Sequence, residues 1–268
     1  MKNIFICADG GCYGHFLAVM LRLAYDPNYV KENQGQTNFI SSAGAVNGSR
    51  AGVLLEYIKK QGVELTGEKQ QTIDEIVKLY NDESFVKNSS VVDIYDRAYC
   101  HIALGHYLRL ETVKKLLSVP DLKIVYVTFD QKDCKLIAKN KITKNFDPEN
   151  PDISELYRNF LASYKVSEDY IQEFDSARVS GIVSDKLRNK FLELWELRMR
   201  TRVPNTIKVR QEIKDNRVLI IRMDEILKDR DQFLNKLTTF VQKEPNNELI
   251  DFYEKFKSAQ QMYHMYQV

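Results

Sequence analysis

The sequence contains no apolar run near the roughly 20 residues that span a bilayer, so no membrane span is expected. Its apolar opening is too short for a secretory leader, lacks a small-residue cleavage site, and is expected to form a strand. Net charge is also nearly absent. The 39 Lys and Arg against 37 Asp and Glu leave +2, which gives whole-chain charge no footprint for nucleic acid or an acidic membrane surface. Four cysteines, at 7, 12, 100 and 134, form no zinc-spaced pair with a matching His pair. No metal is therefore expected, and a reducing, cytoplasmic setting is the simpler reading. With only 11 glycines and 6 prolines, no linker or low-complexity tract stands out. A single α/β domain over 1–268 is expected, long enough for a substantial core. Few Gly and Pro beside many Lys, Asn and Ile suggest AT-rich coding, compatible with a virus or a low-GC microbe.

The most informative stretch that is present lies at the start. Residues 2–7 read as a strand, Asp9-Gly10-Gly11-Cys12-Tyr13-Gly14-His15 as a glycine turn, and Phe16 to Leu23 as a buried helix. Glycines let backbone approach a ligand closely, and the first N–H groups and dipole of a helix favour phosphate, sulfate or an oxyanion. Gly10, Gly11, Cys12, Tyr13, Gly14 and His15 are therefore the candidate anion site. No Lys-Ser/Thr pair follows Gly14, so the loop is not a Walker A motif.

Further on, Phe39-Ile40 leads into the small-residue stretch 41–49, and residues 51–60 and 72–80 read as helical. Residues 91–95 and 98–104 read as strands, the second carrying His101. A helix at 111–117 ends before Pro120, and 123–128 is a strand. Asp130 and Asp133 then open a helix bearing Lys135, Lys139 and Lys141. Alternating strands and helices predict a three-layer parallel sheet with helices on both faces and active-site residues at the strand carboxyl ends. Residues 152–202 read as a helical insertion. Its long helix, 185–202, repeats Leu187, Phe191, Leu194, Trp195 and Leu197 at helical spacing, which makes Trp195 a core residue. Residues 218–222 form a last strand before an amphipathic segment through Val241 and an aromatic docking helix at 252–266.

Together, the opening strand and turn, the strand with His101, the strand at 123–128 and the closing unit resemble a divergent sulfotransferase of the P-loop superfamily. The closing block is Val218-Leu219-Ile220-Ile221-Arg222-Met223-Asp224-Glu225-Ile226-Leu227, followed by Phe233, Leu234 and residues 237–241. The resemblance implies that Gly10 to His15 grip the phosphosulfate end of 3′-phosphoadenosine 5′-phosphosulfate and that His101 is the base toward an acceptor hydroxyl, with His106 as the fallback. Histidine suits that role because its pKa lies near operating pH. The first loop carries no Lys or Arg, and Phe129 and Ile137 stand where the family has Arg and Ser. Lys132, Lys135, Lys139 or Lys141 would then supply the missing positive charge.

Two other readings remain open. Asp9-Gly10-Gly11-Cys12-Tyr13-Gly14 and Ser41-Ser42-Ala43-Gly44 resemble the oxyanion loop and nucleophile elbow of patatin-like acyl hydrolases, with Ser42 as nucleophile and the Gly10 and Gly11 amides as oxyanion donors. Ile40 replaces the elbow's first glycine, and no downstream Asp-Gly motif supplies the base. The third reading is a binding protein that keeps the sulfotransferase-like fold without its chemistry.

Overall fold

The computed structural model describes residues 2–9, 11–28, 37–38, 45–46, 100–105, 109–117, 122–145 and 155–265. Gly10, Ser42, His106 and the expected elements at 51–60, 72–80 and 91–95 lie outside them. In chain order, β1 (Lys2–Cys7) leads to α1 (Gly14–Tyr25), followed by two short antiparallel strands, β2 (Thr37–Asn38) and β3 (Ala45–Val46). Then come β4 (Cys100–Gly105), α2 (Leu110–Leu116) and β5 (Leu122–Thr128). A 3₁₀ turn (Gln131–Asp133) precedes α3 (Cys134–Asn145), α4 (Glu155–Ser163), α5 (Glu168–Ser180) and α6 (Asp185–Glu212). The chain closes with β6 (Val218–Arg222), α7 (Met223–Ile226), α8 (Arg230–Val241) and α9 (Asn247–Met265).

The sheet order is β4-β1-β5-β6, and all three neighbouring pairs are parallel. The parallel α/β sheet and the helix-rich C-terminal half expected from the sequence are therefore both present. In β1, Ile4, Phe5, Ile6 and Cys7 are all buried, as expected for a central strand covered on both faces. β6 is less covered: only Ile221 of its five residues is buried, in keeping with its outer position among the described strands.

The chain divides into two compact units. One comprises Met1–Phe129 with Asn205–Val268, the other Asp130–Pro204. The first unit's core centres on Phe16 of α1. Its ring stacks on Phe256 at 4.1 Å, Phe252 at 5.9 Å and Phe233 at 6.0 Å, joining α1 to α8 and α9. One amide ties two helix ends together here. Asn246 donates to the Leu23 carbonyl in the last turn of α1 (2.8 Å) and accepts from the Leu249 N–H at the start of α9 (2.9 Å). Such bonds satisfy helix-terminal groups that have no partner within the helix.

The helical reading at 152–202 falls inside the second unit. Its core contains Leu161, Phe174, Leu187 and Phe191, each fully buried, and Phe160 stacks on Trp195 at 4.8 Å. Trp195 thus packs against the core as expected. Leu197 does not: it is 49% exposed. At 3.6 residues per turn it lies about 80° around the helix from Leu187 and about 120° from Phe191, beyond the buried stripe.

The long helix also outruns its expected end at Arg202, continuing through Pro204 to Glu212. An interior proline costs about 3 kcal/mol, but the turns beyond it are anchored. Thr206 and Val209 are buried, and the Thr206 hydroxyl donates to the Phe129 carbonyl at 2.8 Å. Asn205 accepts from the Leu110 N–H at 3.0 Å, closing the start of α2, and its Nδ2 donates to the Tyr126 hydroxyl at 3.3 Å. These contacts offset the proline.

Candidate functional site

In an open parallel sheet, ligands settle outside the strand carboxyl ends where the chain reverses its direction of travel across the sheet. That reversal occurs here at β1. The chain moves from β1 outward to β4, then crosses back to β5 on the other side of β1. The turn that closes β1 and opens α1 stands at this point.

The turn is tight and mostly buried. The Cys12 N–H donates to the Asp9 carbonyl at 2.9 Å, and Gly11 holds φ +93° between them. That sign at the third turn position is what glycine tolerates best. Tyr13 then adopts the left-handed conformation, φ 61°, as N-cap of α1 and makes no side-chain cap bond. Its ring meets Phe256 edge-on at 5.7 Å, so the side chain is spent on packing. Gly14 and His15 begin α1. The sequence-read residues from Gly11 to His15 therefore do form a turn at a helix start.

The helix after β5 differs. Asp130 and Asp133 form a capping box, in which the Asp130 N–H donates to Asp133 Oδ2 at 2.8 Å and the Asp130 carboxylate accepts from the third residue of the turn. Carboxylates already serve that helix end. At the start of α1 the Tyr13 side chain makes no such cap bond, which favours this turn as the place for an external anion.

Electrostatics at the β1 turn are sparse. It carries no Lys or Arg, and Asp9 at its first position is only 7% exposed. A carboxylate near a helix N-terminus is itself stabilised by the dipole and competes with an incoming anion. Burial pushes the Cys7 thiol well above its ordinary pKa, keeping it protonated and unsuited to nucleophilic work.

No family model and no curated protein match the chain. Among solved structures it is similar to a sulfotransferase domain from the curacin biosynthetic pathway, at 11% identity and a TM-score of 0.39, over 94% of this chain and 78% of that one. At that distance the likeness decides neither activity nor ligand.

The register corrects the expected position of His101. It pairs with Asn3 near the amino end of β4, whereas Gly105 pairs with Cys7 at the carboxyl end. Four residues at about 3.3 Å each put its backbone roughly 13 Å along the strand from the end nearest the glycine turn. The sequence shows that a strand contains His101 but does not show where the strand stops. His106, which follows Gly105 in sequence, lies outside the described residues.

Lys132, Lys135 and Lys139 all belong to the second unit. Lys132 and Lys135 are exposed, Lys139 is half-buried, and Lys141 stands over the Trp195 ring at 5.6 Å. Arg222, not singled out from the sequence, lies at the carboxyl end of β6 and level with Thr128. Its guanidinium grips Asp224 through two bonds, 3.0 and 2.9 Å.

For the acyl-hydrolase reading, Ala45 and Val46 lie in a strand paired with Thr37 and Asn38. A nucleophile elbow would begin its helix there. Among the described residues no group of His, Cys, Asp and Glu could hold a metal ion, and no helix is long and apolar enough to cross a membrane.

Proposed function

We propose that this chain binds the phosphosulfate end of 3′-phosphoadenosine 5′-phosphosulfate at the β1–α1 turn and transfers the sulfuryl group to an acceptor hydroxyl. The observation that supports this most is the reversal of strand order at β1, coincident with a glycine turn that feeds a helix start whose N-cap, Tyr13, makes no side-chain cap bond. In the step itself the hydroxyl oxygen bonds to sulfur while the bond from sulfur to the phosphate oxygen breaks. 3′-Phosphoadenosine 5′-phosphate leaves, and the hydroxyl proton passes to a base.

Backbone amides and a helix dipole are attractive groups that the turn itself contributes. The dipole is worth about 0.3–1 kcal/mol at an accessible helix end, so binding should be modest. The register of His101 favours a second reading, in which the nucleotide binds without transfer, because a base at the amino end of β4 stands away from the turn.

Calorimetry on the full chain tests binding first. 3′-Phosphoadenosine 5′-phosphate should bind more tightly than AMP, Asp9→Asn should raise its affinity, and Gly14→Asp should abolish it. Equal affinity for the two nucleotides, or indifference to both substitutions in folded protein, would remove the turn from the site. Labelled sulfuryl transfer then separates the two readings, and transfer that survives His101→Ala but not His106→Ala would make His106 the base.

A further inference from the structure

The β1–α1 turn packs against a side chain that arrives from the last helix of the chain. Tyr13 holds φ 61° and ψ 23° and makes no side-chain cap bond. Left-handed backbone is strained for a residue with a Cβ, and it persists where the surroundings enforce it. Packing supplies such a constraint. Tyr13 is only 2% exposed, and its ring meets Phe256 of α9 edge-on, with centroids 5.7 Å apart and planes at 89°. The same Phe256 ring lies 4.1 Å from Phe16 and nearly parallel to it. Tyr13 is the N-cap of α1 and Phe16 closes its first turn, so one side chain of α9 touches both ends of that turn.

This first turn carries the groups an anion would meet. The Leu17 N–H donates to the Tyr13 carbonyl at 3.0 Å. The N–H groups of Gly14, His15 and Phe16 precede that bond and have no acceptor inside the helix. Rotation about the Tyr13 backbone would swing them against the preceding turn, which the Cys12 N–H closes on the Asp9 carbonyl. Fixing Tyr13 therefore fixes where these amides point.

We propose that Phe256 is a positioning residue for the β1–α1 anion site: packed against Tyr13, it holds the left-handed N-cap and with it the direction of the first-turn amides. Amides aligned before the ligand arrives spare binding the cost of ordering them. Docking of α9 and anion binding then favour each other, because both stabilise the same conformation of Tyr13. The ligand part rests on the nucleotide reading above, whereas the bracing of the turn by Phe256 does not.

Amide hydrogen exchange in the full chain without nucleotide tests the bracing, with the Cys12 N–H as the reporter inside the turn. Phe256→Leu should speed exchange at Cys12 about twofold to tenfold, the range that an aromatic pair contributes. If that variant does not fold, Tyr13→Leu breaks the same contact from the turn and should act alike. Tyr13→Phe keeps the ring and should leave exchange unchanged. Tyr13→Gly accepts the left-handed backbone without a ring, so Phe256→Leu added to it should change Cys12 exchange much less. Phe233→Leu loosens Phe16 from the α8 side, and it should lower the urea midpoint without altering Cys12 exchange. Unchanged exchange in folded Phe256→Leu, or equal acceleration by the Phe233 change, would overturn the proposal.

Calorimetry with 3′-phosphoadenosine 5′-phosphate then tests the positioning. Affinity should fall in Phe256→Leu by about the factor that Cys12 exchange rises, and Tyr13→Phe should bind as the unsubstituted chain does. Full affinity in a variant whose turn has loosened would overturn the positioning role. No binding by the unsubstituted chain, with the exchange pattern as expected, would instead overturn the nucleotide reading and leave Phe256 as the brace of the turn.

Discussion

At the residue scale, two positions permit clean tests of cause. Gly181 ends α5 with φ +71°, and a Cβ placed there would meet no atom within 4 Å. Gly181→Ala therefore introduces left-handed backbone strain without a clash. A loss of about 1–2 kcal/mol is expected from urea unfolding, whereas no loss would mean that the turn relaxes to another conformation. Asp215 is the second position. Hydrogen bonding from the Arg217 side chain and backbone holds its carboxyl below the ordinary range. A lowered folded pKa contributes stability that is fully present above the unfolded value near 3.9 and is lost as pH falls through the lower folded value. Asp215→Asn should therefore lower the urea midpoint at pH 6 and leave it nearly unchanged at pH 2. A variant equally destabilised at both values would assign the loss to packing instead. His101 shows the limit of residue-level reading. The histidine and its strand are visible in the sequence, but its distance from the glycine turn follows from pairing with Asn3, a contact 98 positions away.

At the element scale, α1 shows why apolar density is such a dependable signal. Phe16, Leu17, Val19, Met20 and Leu21 are all fully buried, so almost every side of the helix has to be covered. Sequence reading identified this helix because no solvated stripe interrupts it. The partners are a tertiary matter. Phe16 is enclosed by rings from α8 and α9, more than 200 residues later. Phe16→Ala should cost about 3–5 kcal/mol through lost transfer energy and the cavity left behind, and Phe16→Leu clearly less. Denaturant midpoints at unchanged slope would check this, and equal costs would mean that volume at this site does not matter. The extension of α6 through Pro204 makes the opposite point. Local propensity stops that helix, and the bonds of Asn205 and Thr206 to Tyr126, Leu110 and Phe129 carry it on.

At the scale of the whole molecule, the two units have separate cores and each contains at least one buried cysteine. Cys7 and Cys12 report on the first and Cys134 on the second. Burial also raises the Cys134 pKa to about 11, so the folded thiol reacts slowly at neutral pH. Phe191→Ala empties the centre of the second core, where Phe191 meets Phe160, Phe174 and Tyr157. Site-resolved thiol labelling along a urea series should then expose Cys134 before Cys7. Simultaneous exposure would show that the units unfold together.

The sequence alone determined the element types of the described parallel sheet, the glycine turn at a helix start and the apolar faces of the second unit. These follow from residue periodicity and backbone freedom, which are properties of neighbours along the chain. Tertiary structure alone decided the strand order, the position of His101 at the amino end of β4, the anchoring of α6 beyond Pro204 and the packing of Phe256 against the β1–α1 turn. Each depends on pairing or packing between segments distant in the chain. Such contacts are chosen by the free energy of burying all the apolar faces at once, and no local pattern encodes that choice.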